Sequence, residues 1–256
     1  METLLKPPAE LKNPGLKYLA ATRLGACQSP ESLQKLLTAG ANDSDDLYER
    51  ITRRKALEAL GRRKDRSALP VLLAALQADD EPTVVNAADA IARLGTPINK
   101  EGQAELLHAL EGPDNQRRAV LQAFCRLGMH DSSGQIDRCR NDINPLVAGA
   151  AHAYSVRVLG DPQGLQPLVE QLRDDNAGRR RAAVIDLGDA GRIEALAELI
   201  RCPVSMPLRA KSAFQMATSQ AGAIDPDASD LLKELLQDDP RRLNLDGIPE
   251  TAAEPE

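Results

Sequence analysis

The sequence predicts an all-α protein, a solenoid of about seven short helix-turn-helix units, and three observations lead there. The 256 residues contain only three tyrosines, two phenylalanines and no tryptophan, so the core must be aliphatic. Leu and Ala, both strong helix formers, dominate the apolar 42%, while β-branched and aromatic strand formers are scarce. Finally, a Leu-Gly pair recurs at Leu24-Gly25, Leu60-Gly61, Leu94-Gly95, Leu127-Gly128, Leu159-Gly160 and Leu187-Gly188, at spacings of 36, 34, 33, 32 and 28 residues. Self-similarity at a period between about 20 and 50 residues is the signature of a stacked array.

Residues 1–12 read as a leader, and the units then follow in order. The first begins near Asn13 with the Ala-rich helix LKYLAATRLG, and the second near Asp46 with ITRRKALEALG and SALPVLLAALQADD. VVNAADAIARLG and QAELLHALEGPD form a third unit from Glu81, and RRAVLQAFCRLG opens a fourth from Asn115. The fifth, from Pro145, contains AAHAYSVRVLG and LQPLVEQLRDDN; the sixth, from Ala177, contains RRRAAVIDLG and IEALAELIR. The last begins near Ser205, lacks the Leu-Gly pair and reads as a cap: MPLRAKSAFQMATS, then ASDLLKELLQDD. In each unit small Ala residues allow close helix approach, and glycine suits the left-handed residue that closes a helix. One unit cannot bury its apolar face alone, so neighbours stack over 13–239. The Pro-rich acidic stretch 240–256 reads as a disordered tail.

The balance of 32 basic and 38 acidic residues, a net charge of −6, gives no electrostatic reason to coat nucleic acid or an anionic membrane. No apolar run approaches the roughly 18–20 residues of a membrane span, and METLLKPPAELKNPG lacks the regions of a secretion signal. A cytoplasmic protein is expected. Cys27, Cys125, Cys139 and Cys202 contain no CxxC pair, and His108, His130 and His152 no HExxH companion, so no metal site is expected. Phosphate-binding glycine motifs and GxSxG are missing as well.

The repeat pattern resembles the short HEAT-like repeats of the phycobilisome bilin lyases. GLKYLAATRLG at 15–25 is similar to the opening repeat of their E-type subunits, departing at Leu19 and at Thr22-Arg23, where that repeat carries bulkier residues. DLYERITRRKALEALGRRKDRSALPVLLAAL at 46–76 is similar to their second repeat. The resemblance implies a lyase, or lyase subunit, that attaches an open-chain tetrapyrrole to a cysteine of a phycobiliprotein subunit, with or without isomerising it. The implied substrate is a bilin, phycoerythrobilin or phycocyanobilin. The implied partners are a phycobiliprotein alpha or beta subunit and an F-type lyase subunit; neither nucleic acid nor a membrane is among them. Generic HEAT-like architecture equally serves a non-catalytic scaffold or chaperone that binds a protein partner in its groove.

In this repeat type the helix ending at the Leu-Gly pair faces the groove. A 3.6-residue projection places there Tyr18 and Thr22; Arg54, Lys55 and Glu58; Asn86, Asp89 and Arg93; Arg118 and Gln122; Tyr154; Arg181; and Lys211 with Phe214. Arginine matches a propionate bidentately, so Arg54, Arg118 and Arg181 are propionate candidates. A carboxylate at the pyrrole nitrogens would stabilise the protonated tetrapyrrole to which a thiol adds, with Asp89 the first choice and Glu58 the second. Tyr154 and Tyr18 would stack on rings or hydrogen-bond a lactam carbonyl. Asn86 and Gln122 complete the lining. The alternative for the arginines is pairing with Asp residues inside the solenoid, above all for Arg53 and Arg180 of the runs ITRRK and GRRR; for Asp89 it is an ordinary exposed helix position. Asp46 is the expected N-cap of its helix, with Tyr48 at the groove rim or packing the helix entrance.

Overall fold

A computed structural model of the chain describes residues 2–218 and 226–237. Among these there is no strand, and the helices fall into seven successive pairs: α1 (Leu16–Leu24) and α2 (Pro30–Gly40); α3 (Leu47–Arg63) and α4 (Leu69–Ala74); α5 (Glu81–Leu94) and α6 (Lys100–His108); α7 (Asp114–Leu127) and α8 (Gln135–Arg138); α9 (Pro145–Val158) and α10 (Leu165–Gln171); α11 (Ala177–Ala190) and α12 (Leu196–Arg201); α13 (Met206–Thr218) and α14 (Pro226–Gln237). The chain divides into two compact units, 1–151 and 152–256. The segment 240–256, expected as a tail, lies outside the described residues. None of the described helices is long and apolar enough to cross a membrane.

Local chemistry sets the helix starts. Ser29, Asp46, Asp80, Asn99 and Asn176 sit at N-cap positions, where each side chain accepts a backbone N–H that the helix itself cannot satisfy. Asp46 accepts from Tyr48 N at 2.8 Å and from Glu49 N at 3.1 Å, as its sequence context predicts. Pro30 and Pro82, inside the first turns of α2 and α5, lack a donor that would have gone unused there.

In the first unit α1 packs on α3, α3 on α5 and α5 on α7; in the second α11 packs on α13. Leu and Ala fill these contacts, with Ala56, Leu57, Ala59, Leu60, Ala87 and Ala88 fully buried. Of the six Leu-Gly glycines, Gly25 follows α1 with a right-handed backbone, φ −59°, and the other five divide into two kinds. Gly95, Gly128 and Gly160 have φ of 65°, 62° and 70°, the left-handed geometry expected of a helix stop. Gly61 and Gly188 differ from that expectation, because α3 and α11 run on to Arg63 and Ala190 and are closed instead by Lys64 and Gly191. These two glycines serve close packing: a Cβ on Gly61 would lie 2.6 Å from Ala90 Cα of the next repeat, and one on Gly188 2.9 Å from Ser212 Cβ.

The first twelve residues, read from sequence as a leader, include two 3₁₀ turns, Glu2–Leu4 and Pro8–Glu10. Leu4 is buried, and Lys6 O accepts a hydrogen bond from Lys17 Nζ. The segment therefore packs against the first repeat.

Candidate functional site

The exposed edge of the first-helix stack in the 1–151 unit carries a continuous strip of charge. It begins on α1, where Thr22 O accepts Arg62 Nη2 of α3 at 3.5 Å. Residues four apart on a helix lie one above the other, and Glu58 accordingly meets Arg62 at 2.6 Å and Lys55, three residues before it, at 2.9 Å. The Lys55 hydrogen bond is the main reason that the Glu58 carboxyl is held below its ordinary range; burial opposes it, and Arg62 and Arg93 add to it by charge. Arg93, on the next repeat, pairs with Asp89 at 2.6 Å, and the second oxygen of Asp89 accepts Arg126 Nη1 of α7 at 3.2 Å. Two carboxylates, Glu58 and Asp89, are thus each held between two cations, and all six side chains remain open to solvent in part.

Beside this strip lies a second ladder that joins repeats. Arg54 gives both Nε and Nη2 to Asp80 Oδ2, at 3.1 and 2.8 Å, and Asp80 is also the N-cap of α5. Burial pushes the Asp80 carboxyl up, but hydrogen bonds from Thr83 and Arg54 outweigh it and leave the group below its ordinary value. Arg117 repeats the arrangement two units on, reaching Asp142 and Asp114. Arg54 is therefore engaged with an Asp of the next repeat, the alternative that its sequence context left open. Arg118 likewise donates to Leu146 O. Arg53 and Arg180 do not join Asp pairs: Arg53 donates to Gly40 O at 3.2 Å, and Arg180 to the carbonyls of Asp174 and Asp175 at 2.7 and 2.9 Å. These carbonyls lie at or just beyond the ends of α2 and α10, where backbone acceptors are left over.

The remaining candidates separate. Asn86 and Gln122 are half-buried on α5 and α7, and the Asn86 amide donates to Pro82 O at 2.7 Å. Tyr18 is half-buried on α1, one turn before Thr22, whose hydroxyl donates to its carbonyl at 2.9 Å. Tyr154 is only 1% exposed, which corrects its reading as a groove ring. The reason is local: Val147, Ala150, Ala151, Ala153, Ser155 and Val156 of the same helix are buried too, so Tyr154 lies on an enclosed stretch of α9. Arg181 is exposed on α11, and Lys211 and Phe214 are exposed on α13, all in the second unit.

Three groups escaped the sequence reading. Arg62 and Arg126 stand four residues after Glu58 and Gln122, a helical spacing that marks the same face. Lys17 gave no signal: it is 1% exposed and pairs with Glu49 at 2.7 Å, while Asn42 donates to the other Glu49 oxygen at 3.0 Å. In α11 Asp186 and Asp189 are buried, and Asp189 accepts Gln215 Nε2 at 2.9 Å.

Residues 47–125 match the family model described as HEAT repeats. A phycocyanin operon protein Y of Pseudanabaena tenuis is 29% identical over 242 residues, 93% of this chain and 57% of that protein. The bilin biosynthesis protein PecE of a Nostoc species is 28% identical over 158 residues, 61% of this chain and 62% of PecE. The chain thus spans about three-fifths of the length of the first curated relatives it matches. A chain in the structure of the CpcE–CpcF complex of phycocyanin lyase from Nostoc sp. superposes with a TM-score of 0.77 over 90% of this chain and 95% of its own, at 22% identity. That likeness shows the α-solenoid fold, and the sequence similarity is to a phycocyanin operon protein and to a bilin biosynthesis protein.

Proposed function

We propose that the chain is a bilin lyase or lyase subunit, attaching an open-chain tetrapyrrole to a cysteine of a phycobiliprotein subunit, with the charged strip of α3, α5 and α7 as its bilin site. The observation that carries the proposal is the carboxylate of Asp89 held between Arg93 and Arg126 on a solvent-accessible face. A bilin presents two propionates and a row of pyrrole N–H groups, so it can exchange partners with this arrangement. Its propionates pair with Arg93 and Arg126, and Asp89, released from them, accepts the pyrrole N–H groups. Every ion keeps a partner, so the exchange avoids the cost of stranding a charge.

Asp89 then balances the positive charge of the protonated tetrapyrrole, the form that a nucleophile attacks. The S–H bond of the acceptor breaks, its sulfur forms the new carbon–sulfur bond as one carbon–carbon π bond opens, the π electron pair neutralises the protonated tetrapyrrole, and the proton that the thiol gave up stays on the tetrapyrrole. Nothing is oxidised or reduced. Glu58, Lys55 and Arg62 extend the same pattern for a second part of the ligand, with Tyr18, Asn86 and Gln122 as flanking contacts. Catalysis of this kind is positioning, and no nucleophile on the lyase is required. Phycoerythrobilin and phycocyanobilin, and alpha and beta acceptors, are the alternatives within the proposal, and an F-type subunit completes the enzyme.

Co-expression with a bilin-producing pathway, a phycobiliprotein subunit and an F-type subunit tests it. A covalently coloured acceptor is expected. An acceptor that stays colourless with every component present leaves a non-catalytic scaffold, which would use the same strip to hold a charged helical partner.

A further inference from the structure

A cavity of about 530 Å³ opens in the first unit between the 3₁₀ turn Glu2–Leu4, the end of α2 and the start of α3. That volume lies within the range of small-molecule sites. The walls are apolar where Leu4, Leu5, Ala39 and Ala41 line them, and polar where Lys17 of α1, Asn42 and Glu49 of α3 do. None of these residues belongs to the charged strip, and the function proposed above leaves them unused.

Lys17 is 1% exposed, so its ammonium has lost its water and needs partners inside the protein. Glu49 supplies one at 2.7 Å, and the carbonyl of Lys6 another. An ammonium has three N–H donors, so one is left over. Glu49 gives one oxygen to Lys17 and the other to the Asn42 amide at 3.0 Å, and each carboxylate oxygen keeps a further lone pair. A buried ion pair adds little to stability over apolar residues of similar volume, so stability alone does not account for one that lines a cavity.

The chemistry of a guest follows from the pair. A carboxylate would lie against Glu49 and an ammonium against Lys17, so the two together select a neutral group. The leftover donor and acceptor sit on atoms 2.7 Å apart, and they match an acceptor and a donor equally close together. A trans peptide points its C=O and N–H in opposite directions, whereas a lactam or a primary carboxamide presents both on one side. We infer that this cavity is a second binding site, taking a small neutral amide of that kind. Its carbonyl accepts from Lys17, its N–H donates to Glu49, and its hydrocarbon part lies on Leu5 and Ala41. The site does not depend on the lyase function.

The test titrates the full chain, labelled with nitrogen-15, with 2-pyrrolidinone and with propionamide while the backbone amide resonances are followed. Saturable shifts over 38–42 and 47–49 are expected, with a dissociation constant on the order of 1 mM, as suits so small a ligand. A response to the lactam alone, to the carboxamide alone or to both supports the inference and identifies the ligand. N-methyl-2-pyrrolidinone, which keeps the ring and carbonyl but has no N–H, should bind at least tenfold more weakly. Lys17→Met with Glu49→Leu removes both ions together, so no charge is stranded, and should weaken binding at least tenfold with helical content unchanged. If that double variant does not fold, Leu5→Glu decides, because Leu5 is 45% exposed and its replacement leaves the core intact; the same loss is expected. Four results overturn the inference: no saturable shift in this region with either probe, equal affinity for the N-methyl lactam, equal or tighter binding of acetate or methylammonium, or an affinity unchanged in the folded double variant or in Leu5→Glu.

Discussion

Asp89 of α5 and Arg126 of α7 meet at 3.2 Å across two successive repeats, while Arg93 holds the other oxygen of the same carboxylate. Because the pairs are partly exposed, they contribute little to stability, at most about 1 kcal/mol each. Their arrangement suits ligand exchange more than it suits holding the fold. Asp89→Asn should therefore abolish bilin attachment in the co-expression assay while shifting the melting temperature by only a few degrees. Wild-type yield in this variant would remove Asp89 from the site.

Arg126 should matter for binding more than for folding. Arg126→Ala is expected to weaken bilin binding about tenfold, measured by the change in visible absorbance on titration, as befits one charge-assisted contact. Arg54→Ala should instead leave bilin affinity unchanged and lower stability, because its guanidinium belongs to Asp80. Reversal of the two outcomes would exchange their roles.

Acid should unfold the protein through named groups. Glu58, through the Lys55 hydrogen bond, and Asp80, through Thr83 and Arg54 against the opposing effect of burial, both have lowered folded-state pKa values. Such groups contribute stability that is fully present above the unfolded values of about 4 and is lost as pH falls through the folded ones. Urea midpoints should thus drop below about pH 4. Asp80→Asn should flatten part of that drop while lowering stability at pH 7, where the charged cap and pair are missing.

The Gly61 contact gives a steric prediction. Gly61→Ala places a methyl 2.6 Å from Ala90 Cα, a backbone atom that cannot swing aside. A loss of about 2–3 kcal/mol is expected, at the upper end of overpacking costs. Gly188→Ala, facing the Ser212 side chain and backbone, should cost somewhat less. Chemical denaturation of both variants measures the difference.

Cys27 should titrate apart from the other thiols. Hydrogen bonds from the Ser29 backbone and then from the Ser29 and Ser32 side chains, with a smaller contribution from Arg63, lower it to about 7. Alkylation by iodoacetamide should rise through a midpoint near that pH, and Ser29→Ala should move the midpoint upward. Cys125 and Cys202 are buried and should react only on unfolding.

The fold was readable because the Leu-Gly pair and the Ala-rich stretch repeat the same packing problem. What misled was that one dipeptide serves two geometries. Leu94-Gly95 ends its helix, whereas Leu60-Gly61 sits inside one, and the difference lies in Arg62 and Arg63, which carry α3 one turn further. At the proposed site, projecting single helices put Asp89 and Glu58, with Asn86 and Gln122, on the partly exposed side. Projection cannot see a neighbour. Arg54 and Asp80 are 26 residues apart, and only the stacking of α3 on α5 brings them together. Tyr154 sits five residues before its Leu-Gly leucine, as Gln122 does, yet it is buried, with Ala153 and Ser155 beside it buried too.

The contact between Gly61 and Ala90 also limits how the chain can be rebuilt. Repeats of such arrays invite exchange, duplication and recombination as interchangeable modules. Here the spacing between α3 and α5 depends on a residue without a side chain on one repeat and a single methyl on the next. A repeat transplanted between them would have to bring an alanine for the glycine before it. The α5–α7 boundary has its own side chains at the contact, so the modules are keyed, and their order along the chain is part of the structural specification.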